Sequence, residues 1–298
     1  MILYLLVILS LAGVLGEDTT QDIWAQSHNL RGHTPKCMNL NLSLEMMKDF
    51  ATNREWFHSI KFPNGITTKG YDPTIQKIEK NVMSLPEDLT GKTVLDIGTY
   101  NGAYAIEACR RGAEKVMAID YFAWAYSDNH HHFKNFCFAR EQSGYADKID
   151  YMWLAIEGLN PAAVNGQKFD YVFFFGILYH ADNPIGYLRH MLLMLKPGAI
   201  MLLETVVDML DVPYPALAFY EGDTLLNGDS TNDFGPNELA VLAMMRRAGF
   251  TKCEVLQRNY VNLLHGQMTE AAKKMHPPSE VAQNARTTFR GVAPIRAS

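Results

Sequence analysis

Cysteine is scarce in this 298-residue chain: Cys37, Cys109, Cys137 and Cys253 are its only four, with no C-x-x-C pair among them. That spacing excludes a sequence-readable zinc or redox motif and gives no sign of a disulfide framework. Basic charge is not in excess either. Lys and Arg number 27 against 32 Asp and Glu, for a net charge of −5 and a pI near 6.1. A general nucleic-acid-binding surface needs a basic face, so only a local basic patch is left open. No internal repeat or long disordered tract interrupts the chain. An apolar content of 48% and a charged content of 20% suit one large core or two small ones.

Charge is also missing from Met1 to Gly16. The run is shorter than the roughly 20 residues that span a bilayer. It reads as a signal-peptide core, with Gly16 as the cleavage position before Glu17, or as an anchor, although no Lys or Arg precedes it. Asn41-Leu42-Ser43 is a glycosylation sequon. The sequence therefore leaves localisation open: cytoplasmic by domain type, secretory or membrane-associated if residues 1–16 act as a signal or anchor. The chain divides into that segment (1–16), an N-terminal cap (17–90) and a ligand-binding domain (91–298).

A dinucleotide fingerprint is absent too. A pyrophosphate site wants G-x-G-x-x-G at a helix N-terminus. The chain instead reads Asp96-Ile97-Gly98-Thr99-Tyr100-Asn101-Gly102, a D-x-G-x-x-x-G pattern after the apolar run Thr93-Val94-Leu95. A second apolar run, Met117-Ala118-Ile119, ends on Asp120. This is the front of a βαβ unit that holds a nucleoside. Gly98 allows close approach, Asp96 sets a carboxylate near a cationic group, and Asp120 accepts ribose hydroxyls. An adenosine with a positive amino-acid tail and no phosphate fits: S-adenosylmethionine.

Around this motif the pattern predicts strands near 93–97, 115–119, 149–153, 170–175, 199–205, 252–258 and 286–292. It predicts helices near 73–83, 103–111, 124–141, 184–195 and 236–247, with Pro236 in the first turn of the last helix and Gly249 just past its end. Alternating strands and helices give an α/β, Rossmann-like fold, a mostly parallel sheet covered on both faces. Its ligand lies beyond the carboxyl ends of the strands. Ile156 and Glu157, past the third strand, are placed beside the adenine. Tyr179 and His180 follow the fourth strand, where an acceptor approaches. His180 has the resting pKa of a general base, or it is a fixed imidazole. Glu204 ends the fifth strand, facing the crevice. Three successive residues on a helix point about 100° apart, so His130-His131-His132 cannot share one face as a metal site.

The blocks Gly91–Thr99, Gly112-Ala113 with Asp120, Gly176-Ile177-Leu178-Tyr179-His180 with Asn183-Pro184, and Leu202–Thr205 resemble the class I S-adenosylmethionine-dependent methyltransferases. Within them the chain is most similar to the group related to the bacterial enzyme that completes the oxyacetyl modification of wobble uridine in tRNA. Trp56–Ile60 and Asn227–Asn237 share in that similarity. The resemblance implies a cofactor cradle of Asp96, Gly98, Thr99 and Gly102. It also implies ribose binding by Asp120 with Tyr121 beside it, adenine contacts at Ile156 and Glu157, and Tyr179 near the transferred group. In the tRNA enzyme a lysine, a tyrosine and an arginine hold the extra carboxylate of a carboxylated cofactor. Tyr179 matches the tyrosine and Arg286 the arginine, while Lys61 and Lys69 lie in a different motif from the lysine. The expectation is therefore methyl transfer to a small-molecule acceptor, with Tyr179, His180 and Glu204 as catalytic candidates and His58 and Arg286 as substrate candidates. The alternatives are a tRNA wobble-uridine transferase, served by a basic patch of Lys61, Lys69, Lys77 and Lys80, a nicotinamide-dependent oxidoreductase, and a non-catalytic binding protein. The N-terminal apolar segment hints at membrane proximity.

Overall fold

A computed structural model describes residues 34–37, 42–125, 127–220, 226, 231–260 and 285–295. The apolar segment 1–16 and Asn41 of the sequon lie outside the described residues. In chain order the elements before the glycine loop are α1 (Leu44–Thr52), β1 (Trp56–His58), β2 (Gly70–Asp72), α2 (Thr74–Glu79) and β3 (Thr93–Ile97). Then come α3 (Ala103–Arg110), β4 (Lys115–Asp120), α4 (Phe122–Ala125), α5 (His131–Gln142), β5 (Ile149–Trp153), β6 (Phe169–Phe175) and α6 (Pro184–Met194). The chain continues through β7 (Leu195–Val207), β8 (Leu217–Phe219), β9 (Phe234–Pro236), α7 (Glu238–Ala248), β10 (Thr251–Tyr260) and β11 (Ala285–Val292).

Seven strands form one sheet in the order β10-β11-β7-β6-β3-β4-β5. The strands from β7 to β5 run parallel, and β11 is antiparallel to both β7 and β10. The hydrophobic runs explain the layers. Val94, Phe173 and Leu202 pack into one core with Trp56, Trp124, Phe136 and Phe138. Their chain neighbours Leu95, Phe174 and Leu203 pack into a second with Leu188, Met191 and Met245. Side chains alternate across a strand, so each continuous apolar run feeds both faces, as a doubly covered parallel sheet requires. After β5 the chain returns to the other side of β3 to make β6. That reversal opens a crevice at the carboxyl ends of β3 and β6.

Three local expectations change. The helix expected over 73–83 ends at Glu79, because Asn81 and Ser84 take left-handed backbone, which asparagine tolerates through local hydrogen bonding. The helix expected over 124–141 is broken: Asn129 and His130 also lie at positive φ, so α4 and α5 are separate. Pro236 closes β9, and its carbonyl accepts from the Asp208 amide. Asn237 caps α7 instead, accepting from the Ala240 amide at 2.8 Å, and Gly249 ends it at φ 115° as expected.

The cysteine reading is overturned. Cys37 and Cys137 form a disulfide, with Cα atoms 5.2 Å apart and a sequence separation of 100. Spacing carries no signal over such a distance; only the fold brings the two together. The bond fastens segment 34–37 to α5. The same segment lies along β5, where the Cys37 amide donates to the Tyr151 hydroxyl at 2.7 Å and the Trp153 amide to Thr34 Oγ1 at 3.3 Å. Cys109 is a buried free thiol.

Candidate active site

The glycine loop joins β3 to α3. Gly98, Tyr100 and Gly102 all have positive φ (65°, 52° and 84°). The Gly98 and Thr99 amides donate to the Ile119 carbonyl, which ties the loop to β4. A Cβ on Gly98 would lie 2.8 Å from the Ile177 side chain, and one on Gly102 would lie 3.0 Å from Phe136. Both positions thus combine left-handed backbone with tight packing.

Asp96 and Asp120 sit on either side of this loop, 2% and 5% exposed. Asp96 accepts from Thr99 Oγ1 at 2.7 Å. Asp120 accepts from the Tyr100 amide and the Ala123 amide, each at 2.9 Å. Burial, with the neighbouring Asp120 adding to it, pushes Asp96 up to about 7. Burial likewise raises Asp120 to about 6 against the pull of its backbone donors. No cation pairs with either among the described residues. Each carboxylate oxygen carries two lone pairs, so Asp120 keeps capacity for ribose hydroxyls. Two buried carboxylates without a counter-ion are costly alone and suit a cationic ligand. S-adenosylmethionine, with its ammonium and sulfonium, fits on these grounds.

Residues after β5 form the next wall. Ile156 and Glu157 lie in a single 3₁₀ turn, with Ile156 partly buried and Glu157 exposed and accepting from the Tyr187 hydroxyl. Tyr121 directly follows Asp120 at the end of β4.

Across the crevice, Gly176 leads into the turn Leu178–His180. Arg286, on β11, donates to Glu204, on β7, through Nε and Nη2, one bidentate edge of the guanidinium; Nη2 lies 2.8 Å from Oε2. The same Nη2 lies 3.3 Å from the Tyr179 hydroxyl. Glu204, 3% exposed, and the Tyr179 phenol hold the Arg286 pKa well above its usual value, against the penalty of burial. A Cβ on Gly176 would lie 3.4 Å from both Arg286 Nη2 and the Tyr179 hydroxyl. The expected Tyr179, Glu204 and Arg286 are therefore one hydrogen-bonded group. His180 is turned to the 231–237 loop, its Nδ1 2.7 Å from the Thr231 carbonyl. That contact, with the Asp233 amide donating to the Tyr179 carbonyl, makes His180 part of the scaffold around Tyr179.

Sequence reasoning missed three residues. Asn101 is fully buried, and its Oδ1 accepts from the Phe57 and His58 amides at 2.9 and 3.4 Å. It clamps β1 of the cap onto the glycine loop. Its place between the two glycines was the available signal. Tyr104 stands on the first turn of α3, and its phenol pKa is raised well above normal by burial, then by Asp72 and Glu204. Asp72 is an ion pair with Lys77. Burial opposes its ionisation, yet Lys77 and His58 together hold it below the usual range. His58 is 5% exposed and packs edge-on to Tyr104, with ring centroids 5.7 Å apart.

The three histidines His130, His131 and His132 have separate partners: the Trp124 carbonyl, the Asp128 carbonyl and the Tyr100 hydroxyl. Of the four lysines in the proposed basic patch, Lys61, Lys69 and Lys80 are exposed, while Lys77 is taken by Asp72.

Comparison with known proteins bears on this geometry. A tRNA U34 carboxymethyltransferase from Desulfotalea psychrophila is 32% identical over 176 residues, covering 59% of this chain and 49% of its own. The protein of the same name from Pseudomonas savastanoi pv. phaseolicola is 29% identical over 215 residues, covering 70% of this chain and 62% of its own. The chain thus spans about half to three-fifths of the length of these curated relatives. Among solved structures, the N-terminal domain of EvdMO1 with SAH bound superposes with a TM-score of 0.55 at 16% identity, over 84% of this chain and 94% of that one. The [4+2]-cyclase SpnF gives a TM-score of 0.53 at 17% identity, over 81% and 89%. At such identities the likeness is one of fold, and a fold hosts more than one chemistry. The methyltransferase-domain family model matches residues 69–255, more than half of the chain, and the chain belongs to that family, the class I S-adenosylmethionine-dependent methyltransferases.

Proposed function

We propose that the chain transfers a methyl group from S-adenosylmethionine to a small-molecule acceptor that enters between the cap and the carboxyl ends of β3, β6 and β7. The observation that carries this reading is the pair of buried carboxylates, Asp96 and Asp120, without a cation partner among the described residues. When bound, S-adenosylmethionine supplies a methyl group activated on a positively charged sulfonium. Asp96, Gly98, Thr99 and Gly102 hold its amino-acid end, Asp120 and Tyr121 its ribose, and Ile156 and Glu157 its adenine. The described part of the N-terminal region, residues 42–90, acts as a cap that excludes water, which strengthens the electrostatics inside. Tyr179, oriented by Arg286, faces the transferred group; Glu204 neutralises Arg286 and fixes its direction. His180 positions the Tyr179 turn through Thr231. His58 and Arg286 face the acceptor. Most of the acceleration then comes from placement and a fixed electrostatic environment. In a calorimetric titration, Asp96→Asn and Asp120→Asn each weaken S-adenosylmethionine binding by about 1–3 kcal/mol. Unchanged affinity in both variants rejects the site.

One observation favours a second reading, carboxymethyl transfer to a tRNA wobble uridine, the activity in the relatives' names. Tyr179 and Arg286 are in contact beside Gly176, where a carboxylated cofactor's extra anion would need both. An Arg286→Lys variant separates the two readings. It weakens the carboxylated cofactor selectively under the second and affects both cofactors alike under the first.

A further inference from the structure

Five aromatic rings meet where the cap touches the glycine loop. Phe57 stacks on Tyr100 with centroids 4.5 Å apart, and His58 stands edge-on to Tyr104 at 5.7 Å. Tyr104 in turn stands edge-on to Phe175, at the end of β6, at 5.1 Å. Phe57 is 38% exposed and forms the solvent edge of the group; the His58 and Tyr104 rings are buried. One polar atom in this apolar setting is buried and unsatisfied among the described residues. His58 Nδ1 is buried without a hydrogen-bond partner, and the Tyr104 hydroxyl beside it makes no hydrogen bond among the described residues. Leaving the buried His58 Nδ1 unpaired costs free energy, and a ligand hydroxyl, donor and acceptor at once, can pair with it and with the Tyr104 phenol.

The surrounding charges are already balanced. Asp72 is paired with Lys77, and Glu204 with Arg286; Asp96 remains for the cofactor's ammonium. A charged acceptor would be desolvated here with no spare counter-ion, which is costly. Edge-to-face ring walls favour a flat partner. We propose that His58 and Tyr104 form the recognition pair for an uncharged, planar, hydroxyl-bearing acceptor such as a phenol. This rests on the methyl-transfer reading above and names its substrate class. The acceptor gains a methyl group on oxygen and loses the hydroxyl proton, which passes to the imidazole of His58 and from there to solvent. Burial keeps that imidazole neutral before the transfer, its pKa lowered to about 4, with Asp72 opposing the shift and Lys77 adding to it.

The test uses the full chain saturated with S-adenosylhomocysteine, whose own affinity is measured first. It is then titrated with p-cresol, benzoate, benzylamine and cyclohexanol, following the His58 imidazole resonances by NMR. p-Cresol is expected to bind best and to shift the His58 signals, and Tyr104→Phe and His58→Gln are each expected to weaken it by about tenfold. The thermal transition of each variant confirms that it is folded. Tighter binding of benzoate, benzylamine or cyclohexanol, no p-cresol binding, or unchanged p-cresol affinity in both variants overturns the proposal. Failure of S-adenosylhomocysteine to bind overturns instead the methyl-transfer reading beneath it.

Discussion

At the scale of single residues, two kinds of charge coexist in the crevice and respond differently to change. Glu204 is buried and balanced by Arg286. Arg286→Met strands the carboxylate, and removing one partner of a buried pair costs about 3–5 kcal/mol. Urea unfolding is expected to show that loss, and the double variant Arg286→Met/Glu204→Gln to recover most of it. Asp96 and Asp120 are the opposite case, raised to about 7 and about 6 with no cation partner among the described residues. A cation binds their ionised forms, so S-adenosylmethionine affinity is expected to rise as pH climbs through that window and to level off above it. Binding near pH 6.5 releases protons, which calorimetry in two buffers of different ionisation enthalpy detects. The same raised values mean that the ligand-free folded chain holds more protons than the unfolded one between about 4 and 7. Stability from these two groups therefore falls as pH rises across that range. His58 works in the other direction: lowered from 6.5 to about 4, it costs stability as pH falls between those values.

At the scale of elements, the cap and the glycine loop are one unit because of Asn101. Asn101→Ala leaves the Phe57 and His58 amides without their acceptor, a loss of about 1–3 kcal/mol. Hydrogen exchange is expected to show faster exchange in β1 with little change in β3. The second fastening is the disulfide. It closes a loop of about 100 residues, for which the chain-entropy model gives about 4.7 kcal/mol. Reduction, or Cys37→Ser, is expected to lower the denaturant midpoint and to loosen segment 34–37 from β5. An unchanged midpoint would show that the segment is held by its contacts with Tyr151 and Trp153 alone. The block Asn232–Asn237, singled out by resemblance, is also a fastening. Asn237 accepts from Ala216 and Ala240 and donates to Val212 and Tyr214, and Asn232 donates to Leu226.

At the scale of the molecule, what the sequence discloses is what repeats locally. The run Thr93-Val94-Leu95, the left-handed glycines and the acid ending β4 lie within 30 residues of one another, so the βαβ unit is legible. Strand boundaries follow within a few residues for the same reason. The hidden features join distant parts of the chain: Cys37 with Cys137, Asn101 with β1, Arg286 with Glu204 and Tyr179. No spacing rule reaches across such separations, and helix breaks at Asn81 and Asn129 depend on single backbone angles. The central claim is that this crevice is built for S-adenosylmethionine. Parallel calorimetric titration of the chain with S-adenosylmethionine, its carboxylated analogue and NAD tests it most directly. Micromolar binding of S-adenosylmethionine, weaker binding of the carboxylated form and none of NAD is the predicted result; binding of NAD alone, or of none of the three, would contradict it.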